Sequence, residues 1–388
     1  MRQVSGRISV RRDVALAMAI VAVSGVLWIA GCKSEPAPAP VTTAPVAPAA
    51  TAEATQTGPA YESLTSEAAL CQGCIPVSVD NFVRAETDRT FAGVAKLDGF
   101  GKFHHYRTAV PIDNQVVPRV NQDTLYSVAV WDLNAGPVTV TLPDAGKRFE
   151  SMMVVDEDHY VHGVYYGKGA HTLTRQGIGT RYALTAVRIL VNPNDANDVN
   201  AVHALQDTIK AQQKGAGALE VPKWDETSQT KTREALTKLG DQLPDFRHAF
   251  GAKGEVDPVR HLIGTATGWG GNPDKDAIYL TRVPELNDGS TVLRLVVNKV
   301  PVDGFWSVTV YDAKGYLDAN KLNSYSVNSV TAKKGTDGSV TVQFGGCDGL
   351  VPNCLPIMRG WNYTARLYRP RPEVGSGRWK FPQAQAVR

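Results

Sequence analysis

The stretch RVNQDTLYSVAVWDLNAG, starting at Arg119, places Asn121, Gln122, Asp123 and Thr124 directly before a run that reads as strand. Asn and Asp side chains accept from backbone N–H groups two residues on, so this set can tie down a turn. It can equally rim a pocket, because loops at sheet ends host many sites. In the pocket reading Asn121, Asp123 and Tyr126 meet a ligand, with Arg148 or Asp156 on an adjoining strand. Upstream, KFHHYR supplies His104 and His105. A histidine facing Asp123 would form an acid–base pair, since a nearby carboxylate orients an imidazole and raises its basicity.

Two further constellations carry chemistry. DEDHYVHG gathers Asp156, Glu157, Asp158, His159 and His162. On one continuous strand Asp156, Asp158 and His162 would share a face, with His159 opposite. Their spread along a strand argues for a polar strand end over a metal centre. GFWSVTVYD and RGWNY offer Trp306 and Trp361 to stack on a sugar ring, with Asn362 and Asn320 as hydrogen-bond partners. Aromatics at alternating strand positions also suit a sandwich core. The chain lacks Gly-x-Ser-x-Gly, the phosphate-binding Gly-x-x-x-x-Gly-Lys loop and His-Glu-x-x-His. No metal site and no cofactor is expected.

These residues must be positioned by a β-rich frame. TLYSVAVWDL is apolar on both faces, with Tyr126, Val128 and Val130 against Leu125, Ala129, Trp131 and Leu133. Such a strand is covered on both sides. VTVTL, RFESMMVVD and TRYALTAVRILV continue the pattern, so the half from Phe82 to Asn192 reads as mainly β. From about 196 to 265 the period becomes helical: DVNAVHALQDTIKAQQKG runs to Gly215, DETSQTKTREALTKLGDQL follows, and Asp257-Pro258 opens a third helix. STVLRLVV, GFWSVTVYD, GSVTVQFGG and NYTARLYRP then resume β structure in the pattern of a sandwich or jelly roll.

Residues 1–31 read as an export signal: four arginines, then an uncharged run from Val14 to Gly31. Its end, Ile29-Ala30-Gly31-Cys32, resembles the bacterial lipobox, which implies acylation of Cys32 and attachment to the membrane through an N-terminal lipid. Lys33 after that cysteine favours the periplasmic face of the outer membrane by analogy with known sorting. Residues 32–60 are rich in Pro, Ala and Thr, a tether that favours extended conformers with a reach of roughly 80 Å. The formal charge of +3 equals that of residues 1–31, so the mature chain is near neutral. Neutrality removes the electrostatic case for a nucleic-acid partner. Of five cysteines, four remain after Cys32. In an oxidising compartment they read as two disulfides, Cys71–Cys74 and Cys347–Cys354 being the simplest of three connectivities.

PRVNQDTLYSVAVWDLNAGPVTVTLPDAGKRFESMMVVDEDHY resembles the bacterial family called domain of unknown function 1254. GFWSVTVYDAKGYLDANKLNSYSVNS, DGSVTVQFGG and NCLPIMRGWNYTARLYRPRPEVGSGRWKFPQA resemble its companion, domain of unknown function 1214. The resemblance implies an α+β first domain, a jelly-roll second domain and assembly into oligomers, so a homo-oligomer is among the expected partners. It supplies no established reaction. Family sequences commonly carry Arg or Asn where this chain has Gln122, so no charge-dependent role is expected there.

The resulting expectation is a β-rich α+β protein: an N-terminal α+β domain over 61–195, a helical segment over 196–265, and a jelly-roll-like β-sandwich over 266–388. Its leading function is binding of a small polar ligand, glycan fragment or partner protein in the cell envelope. The alternatives are a periplasmic hydrolase or lyase using Asp123 with His104 or His105, and an oligomeric structural envelope protein.

Overall fold

The computed structural model describes residues 71–387 apart from 114, 116 and 117. The signal segment, Cys32 and the tether lie outside the described residues. The fold is α+β and β-rich, with sixteen strands in four sheets among the described residues. A five-stranded antiparallel sheet runs in the order His104–His105, Thr124–Asp132, Tyr182–Leu190, Glu150–Asp156, Val161–Tyr166.

Both faces of this sheet are covered, as the two-sided apolar pattern requires. Leu125, Ala129, Trp131 and Met152 pack on Val138, Val140 and Leu142 of a three-stranded sheet and on Val202 of helix Ala196–Thr208. Val128, Val130 and Leu184 face Phe91 and Val94 of helix Phe82–Lys96. That helix stands where the sequence suggests strand. Its inward stripe carries Glu86, Thr87 and Asp88 between Phe82, Ala85, Phe91 and Val94, and these polar residues blur the apolar period. Glu86 is compensated in the interior by Arg89, Arg233 and Gln229.

The helix beginning at Ala196 ends at Thr208 rather than near Gly215. Lys210–Gln213 becomes a strand because it can pair with Val138–Leu142, and sheet pairing outweighs helix propensity there. Helix Glu226–Gly240 is capped by Asp225, and Pro258–Gly268 by Asp257 with Pro258 in its first turn. Both pack against Phe82 and Ala85 of the earlier helix. The acidic DEDHYVHG stretch is a hairpin rather than one strand. It breaks after Asp156, His159 takes φ +62°, and the chain returns as Val161–Tyr166.

The C-terminal strands form two four-stranded sheets. Leu295, Val342 and Phe344 from one sheet meet Val308, Trp361, Tyr363 and Leu367 on the other side of a single core. All pairs are antiparallel except Val340–Phe344 with Cys354–Leu355. Strand Trp306–Tyr311 is buried along its whole length. Trp306, Val308 and Val310 fill the sandwich, whereas Phe305 and Tyr311 face the N-terminal half.

Glu150 opens a central strand, is 3% exposed, and has no hydrogen-bond partner for either carboxylate oxygen among the described residues. Burial, helped by the charge of Asp144, pushes its pKa up to about 7 from an ordinary 4.5. The unfolded chain therefore releases this proton near pH 4.5 and the folded chain near 7. Between those values folding takes up a proton, so stability falls as pH rises. Glu150→Gln should raise the unfolding free energy measured in urea at pH 8 by up to about 3 kcal/mol and leave it nearly unchanged at pH 4.5. Equal effects at both pH values would place the cost elsewhere.

Candidate functional site at Asp123

The NQD motif is both a turn and the floor of a cleft. Asn121 Oδ1 accepts from the Asp123 backbone N–H at 2.8 Å, which closes an Asx turn at the mouth of strand Thr124–Asp132. The Val191 N–H donates to the Asp123 carbonyl and anchors the turn to the neighbouring strand's end. The Asp123 side chain then points across to the C-terminal half. Its Oδ1 accepts from Ser326 Oγ at 2.9 Å and from Asn328 Nδ2 at 3.1 Å. Ser326 and Asn328 are two apart on one short strand, so they share a face. Asn328 Oδ1 is itself held by the N–H groups of Val330 and Thr331 and the Thr331 hydroxyl, which aims its amide at Asp123.

Asp123 is only 1% exposed, and its Oδ2 has no partner among the described residues. It lines a cleft of about 480 Å³ together with Gln122, Asn192, Tyr325, Ser326 and Asn328. A neighbouring hollow of about 410 Å³ shares Asn192, Ser324 and Ser326 and continues towards Asn353. Asp123 is the only charged side chain in the lining of either hollow among the described residues. The rest is amide, hydroxyl and aliphatic. A buried carboxylate oxygen without a donor is costly, and a ligand hydroxyl or ammonium would satisfy it.

Other anticipated site residues lie elsewhere. His105 pairs with Ser127 across the strands, its Nδ1 2.7 Å from Ser127 Oγ, while His104 sits opposite Val128. Asp123 is four and five strand positions from these points, roughly 13 Å or more at about 3.3 Å per residue. The structure thus does not bring either histidine to Asp123. Tyr126 leaves the cleft because strand alternation turns it to the opposite side, where it meets Arg188. Arg148 is occupied by both oxygens of Asp198 and the Leu190 carbonyl, tying the sheet to helix Ala196–Thr208. Asp156 closes its own hairpin, accepting from the N–H groups of Asp158 and Tyr160 and facing His162 Nε2 at 2.8 Å.

Trp306 and Trp361 are 6% and 0% exposed and belong to the sandwich core, where no sugar can stack on them. Asn362 is buried as a clip between halves, accepting from Arg119 Nη1 and donating to the Asp312 carbonyl. Asn320 accepts from the N–H groups of Leu322 and Ser324 within its own turn. The cysteines pair locally, with Cα–Cα distances of 5.4 Å for Cys71–Cys74 and 5.6 Å for Cys347–Cys354. Sequence reasoning missed Ser326, Asn328 and Asn192. Only the Ser-x-Asn alternation in SVN hinted that two polar side chains share one face.

Residues 100–213 match the family described as Protein of unknown function (DUF1254), and residues 284–372 match Protein of unknown function (DUF1214). No curated protein matches the chain. Among solved structures, the VPA0106 protein from Vibrio parahaemolyticus is 18% identical with a TM-score of 0.62, covering 80% of this chain and 98% of its own. An uncharacterized protein from Burkholderia cenocepacia is 14% identical with a TM-score of 0.47, covering 79% of this chain and 86% of its own. The first likeness supports the fold.

Asn121 spends its carbonyl on the Asx turn and its amide on Thr124, Tyr126 and Tyr368. Asn121→Ala removes all of these and strands buried hydroxyls. It should cost roughly 2–3 kcal/mol in urea unfolding. A loss below about 0.5 kcal/mol, within the range of ordinary surface changes, would show that the turn forms without it.

Proposed function

We propose that this chain, which belongs to the paired families of unknown function DUF1254 and DUF1214, binds a small neutral or cationic polar ligand in the Asp123 cleft. A hydroxyl-rich fragment such as a sugar fits this chemistry. The observation that carries the reading is the half-satisfied buried carboxylate at the floor of an amide- and hydroxyl-lined cleft. Ser326 and Asn328 hold one oxygen and leave the other without a donor. Hydrogen bonds to a charged acceptor are among the stronger ones, about 1.5–3 kcal/mol each. Because its walls come from residues 110–112, 122–123, 192–194, 322–326, 328 and 331, the cleft requires both family regions. We place the protein in the cell envelope, held by a lipid on Cys32 and lifted by the tether. The support for this is the signal segment, the lipobox-like Ile29-Ala30-Gly31-Cys32 and the Pro/Ala-rich stretch behind it.

A hydrolase or lyase built on Asp123 and a neighbouring histidine gains no support from the geometry, because His105 is engaged with Ser127. The test is titration of the full chain with glucose, N-acetylglucosamine and choline, followed by calorimetry and thermal shift. Asp123→Asn keeps an acceptor for Ser326 and Asn328 but removes the charge. At least one probe should bind wild type and lose about tenfold or more in affinity with Asp123→Asn at unchanged fold. Binding that ignores the substitution, or no binding by any probe, would sink the reading.

A further inference from the structure

Behind the NQD turn, on the side away from the cleft, lies a second polar cluster that the Asp123 reading does not use. Arg188 is 5% exposed and sits directly opposite Tyr126 on the paired strand. Its Nε donates to Tyr126 Oη at 3.3 Å, its Nη1 to Asn272 Oδ1 at 3.3 Å, and its Nη2 to the Gly270 carbonyl at 2.8 Å. The fourth contact, from Nη1, is to the thioether of Met153. None of these partners carries a negative charge. Among the described residues Arg188 forms no ion pair, although fourteen Lys or Arg contacts to carboxylates occur elsewhere among them. Buried charges are normally paired.

Three tyrosine hydroxyls close round the same place. Tyr368 Oη and Tyr126 Oη accept from Asn121 Nδ2 at 3.2 and 3.4 Å. Tyr279 Oη accepts from the Asn272 N–H at 3.2 Å and from Asn272 Nδ2 at 2.9 Å. The arc Tyr368, Asn121, Tyr126, Arg188, Asn272, Tyr279 is therefore continuous, and in every bond to it each tyrosine oxygen is the acceptor. No bond among the described residues takes the phenolic hydrogen of any of the three. A buried hydroxyl hydrogen without an acceptor is as costly as any other lost hydrogen bond, and of the three Tyr368 is the most deeply buried, at 3% exposed. The cluster holds a surplus of donors and of positive charge together.

We infer that Arg188, Tyr126, Tyr279 and Tyr368 form a binding site for an oxyanion, the carboxylate or phosphate group of a small molecule. One guanidinium and three O–H donors match the acceptor-only character of such a group, and charge-assisted bonds of this kind are the strong ones. The elements that supply the donors come from both halves. Tyr126 and Arg188 stand on the five-stranded sheet, whereas Tyr279 and Tyr368 stand on paired strands of the sandwich. Tyr126 and Tyr279 are half-buried, whereas Arg188 and Tyr368 are 5% and 3% exposed. Of the nearby carboxylates, Asp123 is turned to Ser326 and Asn328, and Asp276 accepts from Tyr166 at 2.9 Å. Burial works against ionisation of Tyr126, but the Arg188 charge and the bonds from Asn121 and Arg188 hold its pKa below the ordinary 10. The hydroxyl is thereby polarised as a donor for an arriving anion.

The test is differential scanning of the full chain in sodium phosphate, sulfate or acetate against chloride of matched ionic strength at pH 7. Wild type, Tyr279→Phe, Tyr368→Phe and Arg188→Gln are compared, the two phenylalanine variants keeping ring packing while removing one donor each. Phosphate or acetate should raise the melting midpoint saturably, and each phenylalanine variant should weaken the apparent affinity about five- to tenfold. Arg188→Gln should abolish the effect. No anion exceeding chloride, or phenylalanine variants that match wild type, would overturn the site. An ultraviolet difference spectrum against Tyr126→Phe that reveals ionised Tyr126 at pH 7 would also overturn it, because the counter-charge would then be internal. Asp123→Asn, which addresses the cleft, should leave anion binding in place.

Discussion

The two halves of this molecule are joined by polar groups that neither half can satisfy alone. Asp123 takes its hydrogen bonds from Ser326 and Asn328, 203 and 205 residues further along the chain. Arg366 of the sandwich reaches the Arg119 carbonyl and the Tyr311 hydroxyl, and that hydroxyl donates to the Val120 carbonyl. Burial opposes the Arg366 charge, yet Tyr311, Tyr368 and Asp123 around it hold its pKa above the ordinary value. Removing one member of such a buried set leaves its partner desolvated and uncompensated, which costs more than the bond itself contributed. The junction is specified by this mutual dependence, and apolar contacts of Leu190, Phe149, Phe305 and Tyr368 seal its edge.

That dependence explains why strand Trp306–Tyr311 has no exposed face. A sandwich strand normally alternates between core and solvent, giving the period that sequence reading relies on. Here Trp306, Val308 and Val310 fill the sandwich while Ser307, Thr309 and Tyr311 are buried against the other half. The polar residues on the second face are therefore interface groups. Thr309 accepts from Arg366, and Arg366 in turn steadies Tyr311. The same logic covers the central sheet, where strand Thr124–Asp132 carries apolar side chains on both faces because a helix lies on one and a sheet on the other.

Local grammar was legible in the sequence where local forces decide. The strand after NQD, the VTVTL strand, the Asp257-Pro258 helix start and the β-rich class all follow from period, turn and cap chemistry that a few residues carry. Helix Phe82–Lys96 was not legible, because Glu86 and Asp88 sit on its inward face and find partners on Arg233 and Trp224 far along the chain. The hairpin at Asp156 was hidden for a related reason: a carboxylate that closes its own turn looks like any other acidic strand end. Asp123 was recognisable as important, but its partners were not, since nothing local distinguishes SVN from another polar strand. The pairing of His104 or His105 with Asp123 failed on register alone, a quantity that a single strand's sequence does not contain.

Asn121 shows how the two polar sites can lie back to back without merging. Its carbonyl oxygen is committed to the Asp123 N–H, and that bond fixes the turn that sends the carboxylate into the cleft. Its amide nitrogen faces the other way, to Thr124, Tyr126 and Tyr368. One planar group thus separates an acceptor-rich cleft, whose only charge is negative, from a donor-rich cluster whose uncompensated charge is positive. Two opposite charges kept apart by a rigid amide make different demands on a ligand, and a ligand complementary to one is mismatched to the other. The question of whether NQD is a turn or a pocket rim therefore has a single physical answer: the turn supplies the cleft with its carboxylate and leaves the cluster behind it without one.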